Sequence, residues 1–582
     1  MSIETVAPQW WPRGGEPLAG ARPDAGRASV GVHLSCRDLV VRASDGTALL
    51  DEITFDIRPG ELVAIVGASG AGKSTLLGAL AGSRAAAAGE VLIDGDAAHA
   101  ISAARRREIG FVPQDDVIHR DLPLGRVLTY AARLRLPAGS TRADVRAAAA
   151  RALAAVDLDD RADVRVSELS GGQRRRASIA LELVTSPRAC LLDEPTSGLD
   201  PVAAAGVVDE LRRLADGGAT VVFVTHAAAD LARCDRIVAV APGGRLAFFG
   251  TPVEAMEAWG VRDLEALHRR LTDGSVAPMT FAPRRPALAA GATPGAGARA
   301  PRRFVQWAAL TARTLETVAR NRLTLAIMVG SPAMVVAMFA VLFRPGAFDP
   351  ADPSPTSAIM IGFWVAFGGF FFGLTYGLLQ ICPEVAMMRR ERRGGVSPGL
   401  QLLAKLAALT PVLIAIDVAM LAVLRWFDRL PALDGATTGR LAITLALDAV
   451  AALALGLLAS AAVSTPAQAS LALPMLCFPA VLFSGAVLPV PVMAGAGRAI
   501  SAAMSDRWAF EAVGRDLGLR ELFASGSSPL GPALLDEYGS TWTVGIGTVW
   551  VVLVGFTALF SAAAWLVLVS RCRTGGSHTS AS

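Results

Sequence analysis

The chain has little net charge and few groups able to hold a metal. Lysine and arginine number 55 against 51 aspartates and glutamates, a formal charge of +4, so charge alone implies no acidic partner such as nucleic acid. Six cysteines occur in 582 residues. Cys36, Cys190 and Cys234 fall in the more polar half, Cys382 and Cys572 beside apolar runs, and Cys477 within one. None has metal-ligand spacing and none sits in a predicted external loop, so no disulfide is expected. The first 30 residues are rich in Pro, Gly, Ala and Arg, carry Trp10 and Trp11, and lack the apolar core that a signal peptide needs. A disordered tail over 1–32 and a cytosolic N-terminus are expected.

Apolarity is what the chain has in excess. With 53% hydrophobic residues and a mean hydropathy of +0.45, it is too apolar for a soluble enzyme. The excess is uneven. Residues 33–272 read as a soluble α/β domain, 273–303 as a Pro/Ala/Gly linker without periodicity, and 304–582 as a helical domain with several runs of about 20 apolar residues, enough to cross a bilayer.

A strand expected over Leu62–Val66 runs into Gly67, Ala68, Ser69, Gly70, Ala71, Gly72, Lys73, Ser74 and Thr75. Glycines at these intervals let backbone N–H groups converge on a β-phosphate, while Lys73 reaches the β- and γ-phosphates and the Ser74 hydroxyl ligates Mg²⁺. This is a P-loop, and by itself it leaves kinases, GTPases and motors open. Further along stand LSGGQ at Leu169–Gln173, an apolar run ending in Asp193 and Glu194, and SGLD at Ser197–Asp200. A strand ending in Asp is how any P-loop ATPase aims a carboxylate at Mg²⁺. LSGGQ is more specific, because Ser170 and the amides of Gly171 and Gly172 open a helix whose N-terminus favours a phosphate.

Together these motifs resemble the ATP-binding cassette (ABC) family. The resemblance implies an α/β P-loop NTPase domain with a helical subdomain, using ATP and Mg²⁺. It assigns Gln114, in FVPQDD, to the Q-loop as a ligand of Mg²⁺ and the attacking water, and His226, after the strand Val221–Val224, to the switch position. Asp193 would hold Mg²⁺ through water, Glu194 would act as general base, and His226 would meet the γ-phosphate. Ser170, Gly171, Gly172 and Gln173, with Asp200, would act in trans on the nucleotide of a second domain. Only one motif set is present, which implies a half-transporter completed by a second copy in a head-to-tail homodimer, or by a related half-transporter. One position departs from the family: where an aromatic residue usually stacks on adenine stand Val40, Val41, Arg42 and Ala43, leaving Arg42 to stack and relaxing base selectivity.

Six spans are expected, at 323–343, 358–382, 400–424, 441–464, 468–488 and 543–570. Arg313, Arg320 and Arg322 precede the first, Arg389, Arg390, Arg392 and Arg393 separate the second and third, and Arg571 and Arg573 follow the sixth. The opposite loops carry Asp349, Asp352, Asp428 and Asp434, so both termini are expected in the cytosol. Ahead of the first span, Phe304, Trp307, Ala308 and Leu315 recur near helical spacing opposite the three arginines. This predicts an amphipathic helix on the membrane surface, with an ordinary packed helix as the alternative.

The order of domains is similar to the G subfamily of ABC exporters, the White or pigment-transporter type, and most to bacterial members often fused to a forkhead-associated domain, for which this sequence has no counterpart. Arg390, Glu391 and Gly395 match an RExxxG motif, with Val396 where a Tyr usually follows, and FSGAVLP at Phe483–Pro489 and RWAFEAVGRDLGL at Arg507–Leu519 add to the likeness. The arginine cluster either meets Asp115 and Asp116 beside the Q-loop or is a solvated charge run. Gly369, Gly373 and Gly377 bare one helix face, for packing within the chain or for a dimer interface or pathway. The rings of Phe363, Trp364, Phe367, Phe370, Phe371 and Phe372 suit apolar ligand and lipid equally.

Asp417 and Asp448, in the third and fourth spans, both fall roughly 10 Å below the outer face. They are either separate acids, each paired with backbone, hydroxyl or water, or an outward-facing polar vestibule for substrate release or a cationic group. The function expected is ATP-driven export of a hydrophobic or amphipathic substrate, such as a lipid or drug-like molecule, across a bacterial cytoplasmic membrane. A membrane-anchored ATPase that transmits force or signal without moving a solute is the alternative.

Overall fold

The computed structural model describes residues 31–273, 301–525 and 528–572; the Trp10–Trp11 pair, most of the expected linker and Arg573 lie outside them. Ten strands are described: β1 (Leu34–Arg42), β2 (Ala48–Ile57), β3 (Leu62–Gly67), β4 (Ala88–Ile93), β5 (Asp96–Ala97), β6 (Ile109–Val112), β7 (Ala189–Leu192), β8 (Thr220–Val224), β9 (Arg236–Ala241) and β10 (Arg245–Gly250). They form a four-stranded antiparallel sheet, β2-β1-β4-β5, and a six-stranded sheet, β10-β9-β3-β8-β7-β6. In the second sheet all pairs but β10–β9 are parallel. Strands β3, β7 and β8 have every residue buried and, Thr220 apart, are apolar throughout, as strands covered on both faces require.

Helix α1 (Lys73–Leu80) leaves the end of β3. A helical subdomain of α2 (Leu124–Arg135), α3 (Arg142–Ala154) and α4 (Gly171–Leu183) packs around Leu128, Ala148, Leu153 and Ile179, and α5 (Pro201–Asp216) returns to the sheet. Helix α3 is well punctuated, with Thr141 and Asp144 capping each other reciprocally.

The second domain opens with α6 (Arg303–Arg320) and continues through α7 (Arg322–Leu342), α8 (Pro355–Leu378), α9 (Val385–Arg393), α10 (Pro398–Trp426), α11 (Gly435–Ala462), α12 (Pro466–Phe483), α13 (Ser505–Asp516) and α14 (Ile546–Arg571). Among the described residues six helical segments, those containing α7, α8, α10, α11, α12 and α14, are long and apolar enough to cross a membrane. The apolar run expected to continue to Leu488 leaves the helix at Phe483, because Gly485 turns the chain at φ +88°.

Helix α8 is the centre of this domain. A Cβ on Gly377 would sit 2.6 Å from the Leu453 carbonyl, and Gly373 is closer still to Ala449, so the glycine stripe lets the backbones of α8 and α11 meet. Of the two readings of that stripe, packing within the chain is the one found. Phe363, Phe370 and Phe372 are buried, and the Phe363 ring meets Phe510 of α13 edge-on at 6.4 Å, so much of the aromatic crowding on α8 is core. Helix α6 corrects the amphipathic expectation in part. Phe304 is exposed, but Arg313 is buried together with Gln306, Ala309 and Leu310, on a face packed against α2 and α10.

Candidate nucleotide site and its link to the membrane helices

Four neighbouring parallel strands, β3, β8, β7 and β6, end at the same edge of the sheet, and each ends in one expected motif. Such an edge is where open α/β sheets place their ligand. The P-loop follows β3. Gly72 has φ +97°, and a Cβ there would meet the Leu49 carbonyl at 2.6 Å, so only glycine fits the start of α1. No side chain caps α1, which leaves its first amides, those of Lys73, Ser74 and Thr75, available to an anion. Lys73 donates to the carbonyls of Gly67 at 3.0 Å and Ala68 at 2.9 Å, arching over the loop formed with Ser69, Gly70 and Ala71.

The Ser74 hydroxyl donates to Asp193 at 3.0 Å. Burial raises the Asp193 carboxyl above its ordinary value, the Ser74 bond opposes this, and the adjacent Glu194 charge adds to it. Burial likewise lowers the Lys73 ammonium, against the pull of Glu194 and Asp193. Two acids and a hydroxyl in one cleft form a hard oxygen donor set of the kind that Mg²⁺ prefers.

Glu194 joins the remaining strands. Gln114 Nε2 donates to its Oε2 at 3.1 Å, and His226 Nε2 lies 3.1 Å from its Oε1. Its backbone is left-handed, φ +48°, a conformation that costs a non-glycine residue about 1–2 kcal/mol and must be held by its surroundings. Arg175 of α4 supplies that restraint. Its buried guanidinium donates to the carbonyls of Pro113 at 2.8 Å, Gln114 at 2.9 Å and Glu194 at 3.0 Å, tying the signature helix, the Q-loop and the acid pair together. Sequence reasoning missed Arg175. It is the middle of three consecutive arginines, and the only available signal was its place one turn into the helix that LSGGQ opens.

Ser170 caps α4 and shares a reciprocal cap with Gln173, at 3.2 and 3.1 Å, with Gly171 and Gly172 forming the first turn. Among the described residues no hydrogen bond joins 170–173 to 67–75. Asp200 caps α5, accepting from the amides of Val202 at 3.1 Å and Ala203 at 3.0 Å. Arg42 is exposed and donates to the Gly46 carbonyl at 3.0 Å.

The helix that LSGGQ opens is bonded directly to the membrane domain. Arg390 of α9 reaches Glu182 at the far end of α4 at 2.6 Å, and donates to the carbonyls of Val117 at 2.7 Å and Ser178 at 3.0 Å. Glu182 also pairs with Arg135 of α2 at 2.8 Å. Although burial opposes it, these two guanidiniums hold the Glu182 carboxyl down to about 2. Glu391 takes Arg313 of α6 and Gln401 of α10, the latter at 2.7 Å. The arginine cluster thus meets the nucleotide domain, but at Glu182 and backbone carbonyls; Asp116 faces Arg175 instead, at 3.4 Å. His119 lies at the same junction, its imidazole pushed down to about 4 by burial and by Arg313.

Asp417 and Asp448 are wholly buried, and none of their carboxylate oxygens meets hydrogen-bond geometry with a described residue. Asp448 lies near enough for its charge to act on Asp417 and on Asp506 of α13, an acid that sequence reasoning did not single out. In this conformation the helices close over all three acids. Of the other expectation, pairing with backbone, hydroxyl or water, the Ser505 hydroxyl stands beside Asp448. The six cysteines are free thiols.

Residues 50–197 match the ABC transporter family and residues 305–514 the ABC-2 type transporter family. The chain joins an ABC nucleotide-binding domain of P-loop NTPase fold to a helical ABC-2 type membrane domain. It is similar to the ABC transporter ATP-binding/permease protein Rv1747 of Mycobacterium tuberculosis, 34% identical over 464 residues, which are 76% of this chain and 53% of that protein. ABC transporter G family member 11 of Arabidopsis thaliana is 36% identical over 247 residues, 39% of this chain and 34% of that protein. The macrolide export ATP-binding/permease protein MacB of Brucella melitensis is 40% identical over 200 residues, 34% and 30% of the two chains. The chain thus spans about half the length of the first relative and about a third of the others. A solved dimeric post-hydrolysis state of the ATP-binding cassette MJ0796 bound to ADP and Pi is 27% identical, covering 38% of this chain and 98% of its own at a TM-score of 0.35.

Proposed function

We propose that two copies of this chain form an ATP-driven exporter, which moves a hydrophobic or amphipathic molecule out of the cytosolic leaflet or cytosol of a bacterial membrane, with both termini inside. The observation that carries this reading is the buried contact between Arg390 and Glu182. The helix that begins at the signature ends on an ion pair with the membrane domain, so displacement of that helix at the nucleotide is transmitted to the spans.

In this reading the P-loop amides and Lys73 bind the triphosphate. Ser74, Gln114 and Asp193 are the residues that would hold Mg²⁺, which would supply positive charge against the triphosphate. Glu194 takes the proton of the attacking water, oriented with the help of Gln114, and His226 donates to the γ-phosphate as its charge grows. Ser170, Gly171, Gly172 and Gln173 make no hydrogen bond to their own P-loop, which leaves the start of α4 for the partner's nucleotide. Asp200, which holds the start of α5, belongs to the same trans surface.

Three measurements on full-length protein in vesicles test this. Glu194→Gln retains ATP binding and loses turnover, whereas Lys73→Ala loses affinity; near wild-type hydrolysis by Glu194→Gln removes its role as base. A tagged mixed dimer of Ser170→Arg and Lys73→Ala chains regains one active site, and complete inactivity refutes the shared site. ATP-dependent movement of a lipid or dye across the vesicle membrane is expected, and hydrolysis without movement of any of them favours the anchored ATPase.

A further inference from the structure

A cavity of about 170 Å³ opens at the junction of the two domains, away from the nucleotide edge. It is bounded by the turn that ends α1 (Ala81–Ser83), by Phe111 of β6, and by the end of α9. Six arginines line it: Arg106, Arg107, Arg135, Arg390, Arg392 and Arg393. The only acid in the lining, Glu182, is already shared by Arg135 and Arg390. Five positive charges are therefore uncompensated around a space large enough for several waters or one small anion.

The four outer arginines have no acid within ion-pair distance among the described residues. Arg106 and Arg392 donate to the carbonyls of His99, at 3.0 Å, and Val569, at 3.1 Å. The Arg393 guanidinium lies 4.5 Å from the centre of the Phe111 ring, and its Nε is buried without a hydrogen-bond partner. The nearest acid in sequence to Arg107, Glu108, faces Arg188 at 3.4 Å. Like charges converging in a partly dry cavity repel strongly, and an arrangement of this kind is stable when an anion joins it.

We propose that this pocket binds a phosphate-bearing anion, either the headgroup of an acidic phospholipid or a free phosphate. Guanidinium forks match phosphate oxygens two at a time, which favours phosphate over a single-point anion. The pocket's position favours the lipid. Arg389 donates to the Arg571 carbonyl at 2.9 Å and Arg392 to Val569, so the end of α9 that borders the pocket is fastened to the last turn of α14, where that span leaves the membrane. Basic pockets at that level are suited to acidic headgroups of the cytosolic leaflet. An anion seated there would touch both the turn that ends the helix starting at Lys73 and the strand that leads to Gln114, and so would stiffen the junction between ATP site and spans.

The test uses delipidated full-length protein in neutral detergent, titrated separately with short-chain phosphatidic acid, short-chain phosphatidylcholine and inorganic phosphate, with binding read by thermal shift and by native mass spectrometry. Wild-type protein binds one phosphatidic acid per chain saturably, and phosphatidylcholine at least about tenfold more weakly. Arg107→Gln and Arg393→Gln each weaken phosphatidic acid about tenfold, while Arg107→Lys and Arg393→Lys lose less, since they keep charge without the fork. Competition by inorganic phosphate identifies a free-phosphate site, and its failure to compete identifies a headgroup site. Equal affinity of wild type and the folded double glutamine variant, or no preference for phosphatidic acid over phosphatidylcholine, overturns the proposal. Should the double variant not fold, the single glutamine variants carry the same comparison.

Discussion

Glu182→Gln should damage the junction between the domains more than Arg390→Met, although both remove the same ion pair. Losing Arg390 leaves Glu182 still paired with Arg135 at 2.8 and 3.2 Å, and the methionine fills much of the vacated space. Losing the Glu182 charge leaves two guanidiniums, each formerly within a hydrogen bond of the same carboxylate, buried and facing each other. Breaking a buried pair by removing one partner costs about 3–5 kcal/mol, and Glu182→Gln belongs in that range. For opening of α9 away from α4, about 3 kcal/mol is a population increase of roughly a hundredfold. Hydrogen–deuterium exchange of residues 385–393 in detergent-solubilised protein reads that increase directly. ATP affinity serves as the control, since neither side chain bonds to the P-loop. The same pair sets a pH dependence. Glu182 is held at about 2 in the fold against 4.5 when free, so its contribution, about 3 kcal/mol, is complete above pH 4.5 and lost as the pH falls towards 2. Exchange in 385–393 within threefold of wild type for Glu182→Gln, or faster exchange in Arg390→Met, would refute this account.

Two further outcomes follow from packing in the membrane domain. Gly373→Ala drives a methyl group into the Ala449 carbonyl, and separating α8 from α11 to admit it should cost several kcal/mol by the scale of overpacked cores; a melting temperature in detergent unchanged to within about 2 °C would show that the interface is looser than described. Asp417→Asn and Asp448→Asn should leave expression intact and together remove most substrate stimulation of ATP hydrolysis, because acids buried among spans are costly and no described hydrogen bond accounts for retaining them; full stimulation in the double variant would end their assignment as a polar site.

What the sequence determined by itself is what depends on short stretches of chain. The P-loop is legible because a few glycines and one lysine set the local backbone path around a phosphate, and Gly72 adopts the left-handed geometry that its residue type permits. The six long apolar helices are legible because span length is set by bilayer thickness, independent of what the helices touch. Only the tertiary structure decided the rest. Arg174, Arg175 and Arg176 are equivalent as letters, but 100° steps around α4 send Arg174 to the Leu169 carbonyl, Arg176 to the Val156 carbonyl and Arg175 alone to the acid pair. The basic cluster of α9 is visible as charge, and the acids that a motif points to are Asp115 and Asp116 beside the Q-loop. The actual partner, Glu182, stands 208 residues away in a helix whose register no local pattern reveals. Pairing of that kind is chosen by which faces two domains bury against each other, and that choice belongs to the whole chain.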